Sequence, residues 1–144
     1  MSLETFGSIL NFAEELEEQD RRFYEAAAGN PACAAYRGLF SDLAAGAGQS
    51  VRTVQRIRRE NVTEMILEPV AGFTREPFCE ACEGAAVLGA EEVLATARRL
   101  ERRAAAYYRE AAKKLKALTE VSRALERLAR NREARLGRLE APGA

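Results

Sequence analysis

The residues best suited to chemistry by their type and spacing are Cys79 and Cys82, which form a Cys-x-x-Cys pair. Zinc sites use this spacing to bind the metal through thiolates, and dithiol redox centres use it to form a reversible disulfide. Cys33 would offer a third thiolate, but a closed tetrahedral zinc site needs four ligands, so a carboxylate or a second subunit would have to complete it. Zinc binding, redox cycling and two small cysteines without a chemical role all stay open, and the last is favoured.

Other groups that carry catalysis are scarce. The chain has no histidine, and it contains no glycine-rich phosphate loop of accepted spacing. Its three cysteines are an odd set, unlike the paired framework of a small secreted domain, so we expect reduced thiols. We therefore expect no catalytic residues, and the sequence favours a protein that is not an enzyme.

Composition narrows the class of protein. The 144 residues are 47% hydrophobic, which is enough to build one domain over residues 1–144 around one core. No stretch approaches the roughly 20 apolar residues that a membrane span needs, and residues 1–19 lack a basic segment followed by an apolar one. We expect a soluble, cytoplasmic protein without a membrane partner.

The formal net charge is zero, but acidic residues concentrate in residues 1–30 and Lys and Arg in residues 98–138. A basic C-terminal half is a feature of many nucleic-acid-binding proteins. Oppositely charged helices that lie side by side in one bundle would explain the same pattern, and the helical periodicity favours them. We expect no nucleic-acid partner.

Apolar residues recur at helical spacing in four segments of the chain. The pattern predicts helices at about residues 3–28, 31–60, 90–115 and 119–139. A connector rich in proline and glycine, at about residues 61–89, separates the second helix from the third. Gly46 and Gly48 fall inside the second helix, where each costs about 1 kcal/mol relative to alanine, so they need a packing reason or a bend.

The chain also contains an internal repeat. The first helix matches the third at an offset of 84 residues, so that Glu17 and Tyr24 correspond to Glu101 and Tyr108. The second helix matches the fourth at an offset of 85 residues. A duplicated helical hairpin follows. Short loops within the hairpins and a long connector between them predict an up-down-down-up bundle with one long crossover between helices 2 and 3.

Two phrases of the sequence resemble the first and third helices of rubrerythrin-type proteins of the ferritin-like superfamily. They are Glu17-x-x-Asp20-x-x-Phe23-Tyr24 and Glu101-x-x-Ala104-x-x-Tyr107-Tyr108. In that family each phrase supplies a metal-binding glutamate, and the second and fourth helices each supply Glu-x-x-His, usually after Leu-Ala. The resemblance covers nearly the whole chain and implies an all-α, ferritin-like four-helix bundle with a di-iron centre.

Only two of the six ligands that this resemblance implies are present. The six positions hold Glu17 and Glu101, which match, Ala47 and Ser50 in the second helix, and Arg132 and Arg135 in the fourth. Two carboxylates by themselves do not hold two iron ions against water, and Glu14, Glu18, Asp20 or Glu133 would add only weak help. We therefore expect a degenerate di-iron site and no metal. The alternatives are iron at the two glutamates, or zinc at Cys79 and Cys82 with Cys33.

The two arginines suggest what stands in place of the metal. A buried carboxylate is costly unless it is paired, and a guanidinium can give it two hydrogen bonds. We predict a buried cluster of Glu17, Glu101, Arg132 and Arg135 in which two positive charges balance two negative ones. The alternative is that the arginines extend to solvent from the edge of the helix face. For Arg135 we favour the solvent-exposed position and the cluster equally. For Arg132 we favour the cluster.

Two further features are ambiguous. Tyr24, Tyr107 and Tyr108 resemble tyrosines that hydrogen-bond the metal ligands in this family, but we favour plain core packing for all three. The small residues from Ala44 to Gly48 either let helices approach closely, which we favour, or leave a void for a small apolar ligand.

The prediction that results is a metal-free, non-catalytic, ferritin-like protein of structural or interaction role. We expect a homo-oligomer, a dimer, that forms through an exposed helix face. The first alternative is a rubrerythrin-like oxidoreductase or iron-binding protein with a residual carboxylate site. The second is a thiol or zinc protein that acts through Cys79 and Cys82.

Overall fold

The fold is known from a computed structural model, which describes residues 3–61, residue 70 and residues 72–142. Four α-helices form it: α1 (Phe6–Ala28), α2 (Arg37–Glu60), α3 (Ala90–Lys114) and α4 (Thr119–Glu140). Short 3₁₀ helices lie at Pro31–Tyr36 and Glu76–Phe78, and no β-strand occurs among the described residues. The prediction of an all-α protein with four helices is confirmed. None of the described helices is long and apolar enough to cross a membrane.

The first helix begins at Phe6, three residues later than predicted, because Thr5 caps it. The Ser8 amide donates to Oγ1 of Thr5 at 3.0 Å, and the Thr5 amide donates to Oγ of Ser8 at 3.1 Å. This reciprocal capping box satisfies donors that the first turn leaves free. Leu3 lies before the helix and is buried, with its amide 2.8 Å from the carbonyl oxygen of Phe73.

The second helix also begins later than predicted, at Arg37 instead of residue 31. Residues 31–36 form a 3₁₀ helix whose backbone leaves helical geometry at Cys33, with φ −104° and ψ 18°. Asn30 fixes this corner, since its Oδ1 accepts from the Ala32 amide at 2.9 Å and its Nδ2 donates to the carbonyl oxygens of Ala85 and Leu88. The loop of the first hairpin is therefore tied to the connector.

The main helix contacts are between α1 and α2 and between α3 and α4. Buried apolar residues form two clusters. One contains the buried apolar residues of α1 up to Leu16 and those of α3 from Ala104 onward. The other contains the buried apolar residues of α1 from Phe23 onward and those of α3 up to Leu100. Between them lies a layer that is not apolar, and it contains the predicted site.

The described part of the connector follows α1 from its beginning to its end. Along the chain its contacts are Phe73 with Leu3, Arg75 with Glu15, Glu80 with Gln19, and Ala85 with Asn30. The ring of Phe73 stacks on Tyr107 of α3, with centroids 5.5 Å apart. The connector thus covers one side of α1 and α3 together. Residues 62–69 and 71 of the predicted connector lie outside the described residues.

The two glycines of α2 differ in their surroundings. A Cβ atom at Gly46 would lie 3.0 Å from Nη2 of Arg135, whereas one at Gly48 would lie 3.5 Å from Cδ of Arg21, an ordinary contact. Gly46 therefore has a packing reason, which is the close approach of an arginine from α4. Gly48 has no such reason.

Candidate functional site

Five charged side chains fill the layer between the two apolar clusters. Three helices supply them: Glu17 and Asp20 from α1, Glu101 and Arg103 from α3, and Arg132 from α4. The three carboxylates are fully buried, and Arg103 and Arg132 are 6% and 1% exposed. We call these five residues the charge cluster. Burying charges is costly unless they are paired, so the contacts among them decide whether this part of the bundle is stable.

Arg132 is the centre of the charge cluster. Its Nη2 donates to Oε1 of Glu17 at 2.7 Å, and its Nη1 donates to Oε1 of Glu101 at 2.8 Å. Its Nε also donates to Oε2 of Glu17 at 3.4 Å. One guanidinium therefore bridges the two carboxylates that the internal repeat places at corresponding positions of α1 and α3.

Asp20 and Arg103 extend the cluster. Nη2 of Arg103 donates to Oδ1 of Asp20 at 2.7 Å. Nη1 of Arg132 lies 2.8 Å from Oδ2 of Asp20, an ion-pair contact at an angle that does not suit a hydrogen bond, so this oxygen has no hydrogen-bond partner among the described residues. Asp20 is thus the least satisfied carboxylate of the three.

Two tyrosine hydroxyls complete the hydrogen bonding of the glutamates. Tyr24 of α1 donates to Glu101 of α3, and Tyr108 of α3 donates to Glu17 of α1. These four residues are two pairs of corresponding positions in the repeat, so the bonds cross reciprocally between the two hairpins. Plain core packing, which the sequence favoured for both tyrosines, is therefore corrected. Both rings are buried, but their hydroxyls bond the glutamates.

Burial and charge set the protonation of the cluster. Burial raises the pKa of Asp20 to about 6, although Arg132 and Arg103 lower it. Burial alone would lower the pKa of Arg132, but Glu101, Glu17 and Asp20 outweigh it and raise that pKa well above its ordinary value. With all five groups ionised, three carboxylates face two guanidiniums. A proton on Asp20 makes the cluster formally neutral.

The tyrosines stay protonated. Burial, followed by the charge of Glu101, raises the pKa of Tyr24 well above its ordinary value. Burial, followed by the charge of Glu17, does the same to the pKa of Tyr108. Both hydroxyls are therefore hydrogen-bond donors to carboxylates over the whole physiological pH range.

The structure brings Glu17, Glu101 and Arg132 together but places Arg135 elsewhere. Arg135 lies against Gly46, and its Nη2 donates to Oγ of Ser50 at 3.2 Å. Its predicted place in the cluster is corrected. Arg135 follows Arg132 by three residues, which is less than one full helical turn, so the two side chains leave α4 in different directions. Arg135 is directed toward α2, where Gly46 and Ser50 leave room. Ala47 is fully buried and supplies no polar atom.

Sequence reasoning missed two members of the cluster. Asp20 lies at helical spacing from Ala13, Glu17 and Tyr24, so its burial and its need for a partner were readable from that pattern. Arg103 carries no comparable signal, because it flanks the inward face of its helix. Its place in the cluster is visible only in the structure, where it donates to Asp20.

The three cysteines are free thiols in different surroundings. Cys33 is buried, which raises the pKa of its thiol, while Cys82 is half-buried and Cys79 is exposed. Sγ of Cys79 donates to the carbonyl oxygen of Arg75 at 3.4 Å, and Nε2 of Gln19 donates to Sγ of Cys82 at 3.0 Å. Among the described residues, no three cysteine or carboxylate side chains are arranged to hold a metal ion.

The donor set does not fit the two iron ions that the family resemblance implies. The oxygens of Glu17 and Glu101 accept hydrogen bonds from Arg132, Tyr24 and Tyr108, which are all donors. A metal would have to displace a guanidinium that already carries the compensating charge. The positions where the family has further ligands hold groups that are not metal ligands or that point elsewhere.

Comparison of the chain with protein-family models, with curated proteins and with solved structures finds no match.

Replacing Arg132 by leucine should destabilise the protein severely. Arg132→Leu leaves Glu17 and Glu101 buried without their shared partner, and breaking a buried ion pair in this way typically costs about 3–5 kcal/mol. The measurement is the free energy of unfolding from urea denaturation at pH 7.5. Arg123→Leu, an exposed change on the same helix, should stay within about 0.5 kcal/mol of the wild type. Equal effects of the two substitutions would contradict the cluster's role.

Asp20 should make stability depend on pH. Its pKa is 3.8 when unfolded and about 6 when folded, so between these values the folded chain holds the extra proton. The free energy of unfolding should therefore fall as the pH rises from about 4 to about 6, by roughly 3 kcal/mol for this group. Asp20→Asn removes this contribution.

The measurement is urea denaturation of the wild type and of Asp20→Asn from pH 4 to pH 7.5. As the pH rises from about 4 to about 6, the unfolding free energy of the wild type should fall relative to that of Asp20→Asn. Asp42→Asn, at an exposed aspartate that pairs with Arg138, serves as the control and should keep the wild-type pH profile. Parallel profiles for the wild type and Asp20→Asn would show that Asp20 titrates normally.

Proposed function

We propose that this chain is a metal-free, ferritin-like bundle related to the rubrerythrins, with a structural or interaction role and no catalytic one. The observation that carries the proposal is the position of Arg132, which hydrogen-bonds both Glu17 and Glu101. These two glutamates are the ones that match the metal ligands of the family. A fixed positive charge from α4 thus takes the place of the metal charge.

The path of the chain supports the ferritin-like topology. Tyr107 of α3 donates to the carbonyl oxygen of Ile9, near the start of α1, while Glu101 bonds Tyr24, nearer its end. The two helices therefore run antiparallel to each other. The described part of the connector follows α1 from one end to the other. An up-down-down-up order with one long crossover accounts for both observations.

The charge cluster offers little to a substrate. Its five charged side chains are at most 6% exposed, so a substrate would reach them only if the helices separated. Catalytic acids and bases need an accessible group that exchanges a proton near the working pH. Arg132, Tyr24 and Tyr108 have their pKa values shifted away from neutrality, and Asp20 is enclosed.

We propose that the interaction role includes self-association, as a dimer, through an exposed helix face. Val87 is the only large hydrophobic side chain among the described residues that is exposed, at 81%. A dimer interface on the described surface would therefore depend on polar and charged contacts more than on apolar area.

Restoring the missing ligands tests the family relationship. In the variant with Ala47→Glu, Ser50→His, Arg132→Glu and Arg135→His, the chain carries a glutamate on each of two helices and Glu-x-x-His on the other two. It should bind about two Co²⁺ ions per chain, measured by metal analysis and by the absorption of the bound ions. Metal should also raise its melting temperature, because binding couples to folding.

The wild type and the half-restored variant are the controls. The wild type, purified without chelator, should hold no stoichiometric metal. Ala47→Glu with Ser50→His, which keeps Arg132, should bind less Co²⁺ than the full variant. Iron near two per wild-type chain would instead support the oxidoreductase alternative, and zinc near one or one-half per chain would support the thiol alternative. A fully restored variant that takes up no Co²⁺, folded or not, would contradict the relationship.

A further inference from the structure

A basic groove lies between α2 and α4, outside the charge cluster. Its volume is about 510 Å³, which falls within the range of small-molecule binding sites. Four arginines line it: Arg56 from α2, and Arg127, Arg130 and Arg135 from α4. Ser50 and Asn131 add a hydroxyl and an amide to its wall. We call this feature the arginine groove.

The positive charge of the arginine groove is not compensated by the described residues that surround it. Among the described residues that line it, none is acidic. None of its four arginines forms an ion pair within the described part of the chain, whereas Arg58 of α2 pairs with Glu14 and Arg138 of α4 pairs with Asp42. Charges of one sign along a groove concentrate counter-ions of the other sign.

The inner end of the groove holds an unmet hydrogen-bond donor. Nη2 of Arg135 donates to Oγ of Ser50 at 3.2 Å, but Nη1 is buried without a hydrogen-bond partner in the described part of the chain. Buried donors are nearly always paired in folded proteins, so an exception needs a physical account. An oxygen atom of a ligand at this end of the groove would supply the missing acceptor.

We propose that the arginine groove binds a phosphorylated small molecule that carries at least two negative charges. Guanidinium groups match phosphate oxygens with paired hydrogen bonds, and a single carboxylate would leave most of the four positive charges unmet. Arg127 and Arg130, which are exposed, contact the outer part of the ligand. Arg135 and Ser50 bind a phosphate oxygen at the inner end. No residue of the charge cluster lines the groove, so this inference stands independently of the metal-free proposal.

Titration calorimetry with inorganic pyrophosphate at low ionic strength tests the inference. The wild type should bind one pyrophosphate per chain in a saturable manner. The double variant Arg127→Gln with Arg130→Gln should bind at least about tenfold more weakly, because it loses charge-assisted hydrogen bonds. Both arginines are exposed, so this variant should keep the wild-type circular dichroism spectrum and melting temperature.

A matched control separates a site from general attraction. Arg22→Gln with Arg52→Gln removes the same charge from exposed arginines outside the groove, and its affinity should stay within about twofold of the wild type. Absence of saturable binding to the wild type, or equal loss in the two double variants, would overturn the inference. Tighter binding of a duplex oligonucleotide that both variants weaken equally would also overturn it, since that indicates distributed phosphate contacts.

Discussion

Two glutamates lie at the centre of this bundle with no exposure to water, and the protein must compensate their charges. Arg132 does so for both, with hydrogen bonds of 2.7 and 2.8 Å to carboxylates on different helices. Because these bonds join α4 to α1 and α3, the compensation of charge is also a connection between the two hairpins. The apolar clusters on either side exclude water from this layer, which strengthens its electrostatic interactions.

The internal repeat explains the symmetry of the layer and also where it fails. Tyr24 and Tyr108 bond the opposite glutamate in each hairpin, as corresponding residues around a pseudo-twofold axis would. Ser50 and Arg135, which also correspond, contact each other. The second and fourth helices have otherwise diverged, since Ala47 stands where Arg132 stands in α4. One guanidinium therefore serves two carboxylates.

The same divergence accounts for the second ion pair. Asp20 corresponds to Ala104 in the repeat, so α3 has no carboxylate at the matching position. Unlike Glu17 and Glu101, Asp20 is therefore not one of a symmetric pair around Arg132. Arg103 supplies a partner for it from α3 at 2.7 Å. With all five groups ionised the cluster carries one more negative charge than positive, but burial is the main reason that the pKa of Asp20 is raised. Asp20, the least satisfied carboxylate of the cluster, is therefore the one that has no counterpart in the repeat.

Most of the fold could be predicted from the sequence because four long amphipathic segments dominate it. The corner at Cys33 could not, since the Asn30 side chain fixes it through hydrogen bonds to a connector whose path is not visible in helical periodicity. Within the site, Glu17, Glu101 and Arg132 could be grouped because each lies on an inward face. The position of Arg135 could not be predicted, because a guanidinium near the edge of that face extends to wherever the neighbouring helix leaves space, here beside Gly46.

The central claim is that Arg132 is retained to neutralise Glu17 and Glu101, and a double-mutant cycle tests it most directly. The cycle compares Arg132→Leu, the pair Glu17→Gln with Glu101→Gln, and the variant that combines all three, by their free energies of unfolding in urea. If the charges are coupled, the combined variant should be more stable than the sum of the separate losses predicts, by at least about 2 kcal/mol. Additive losses, within about 0.5 kcal/mol, would contradict the claim.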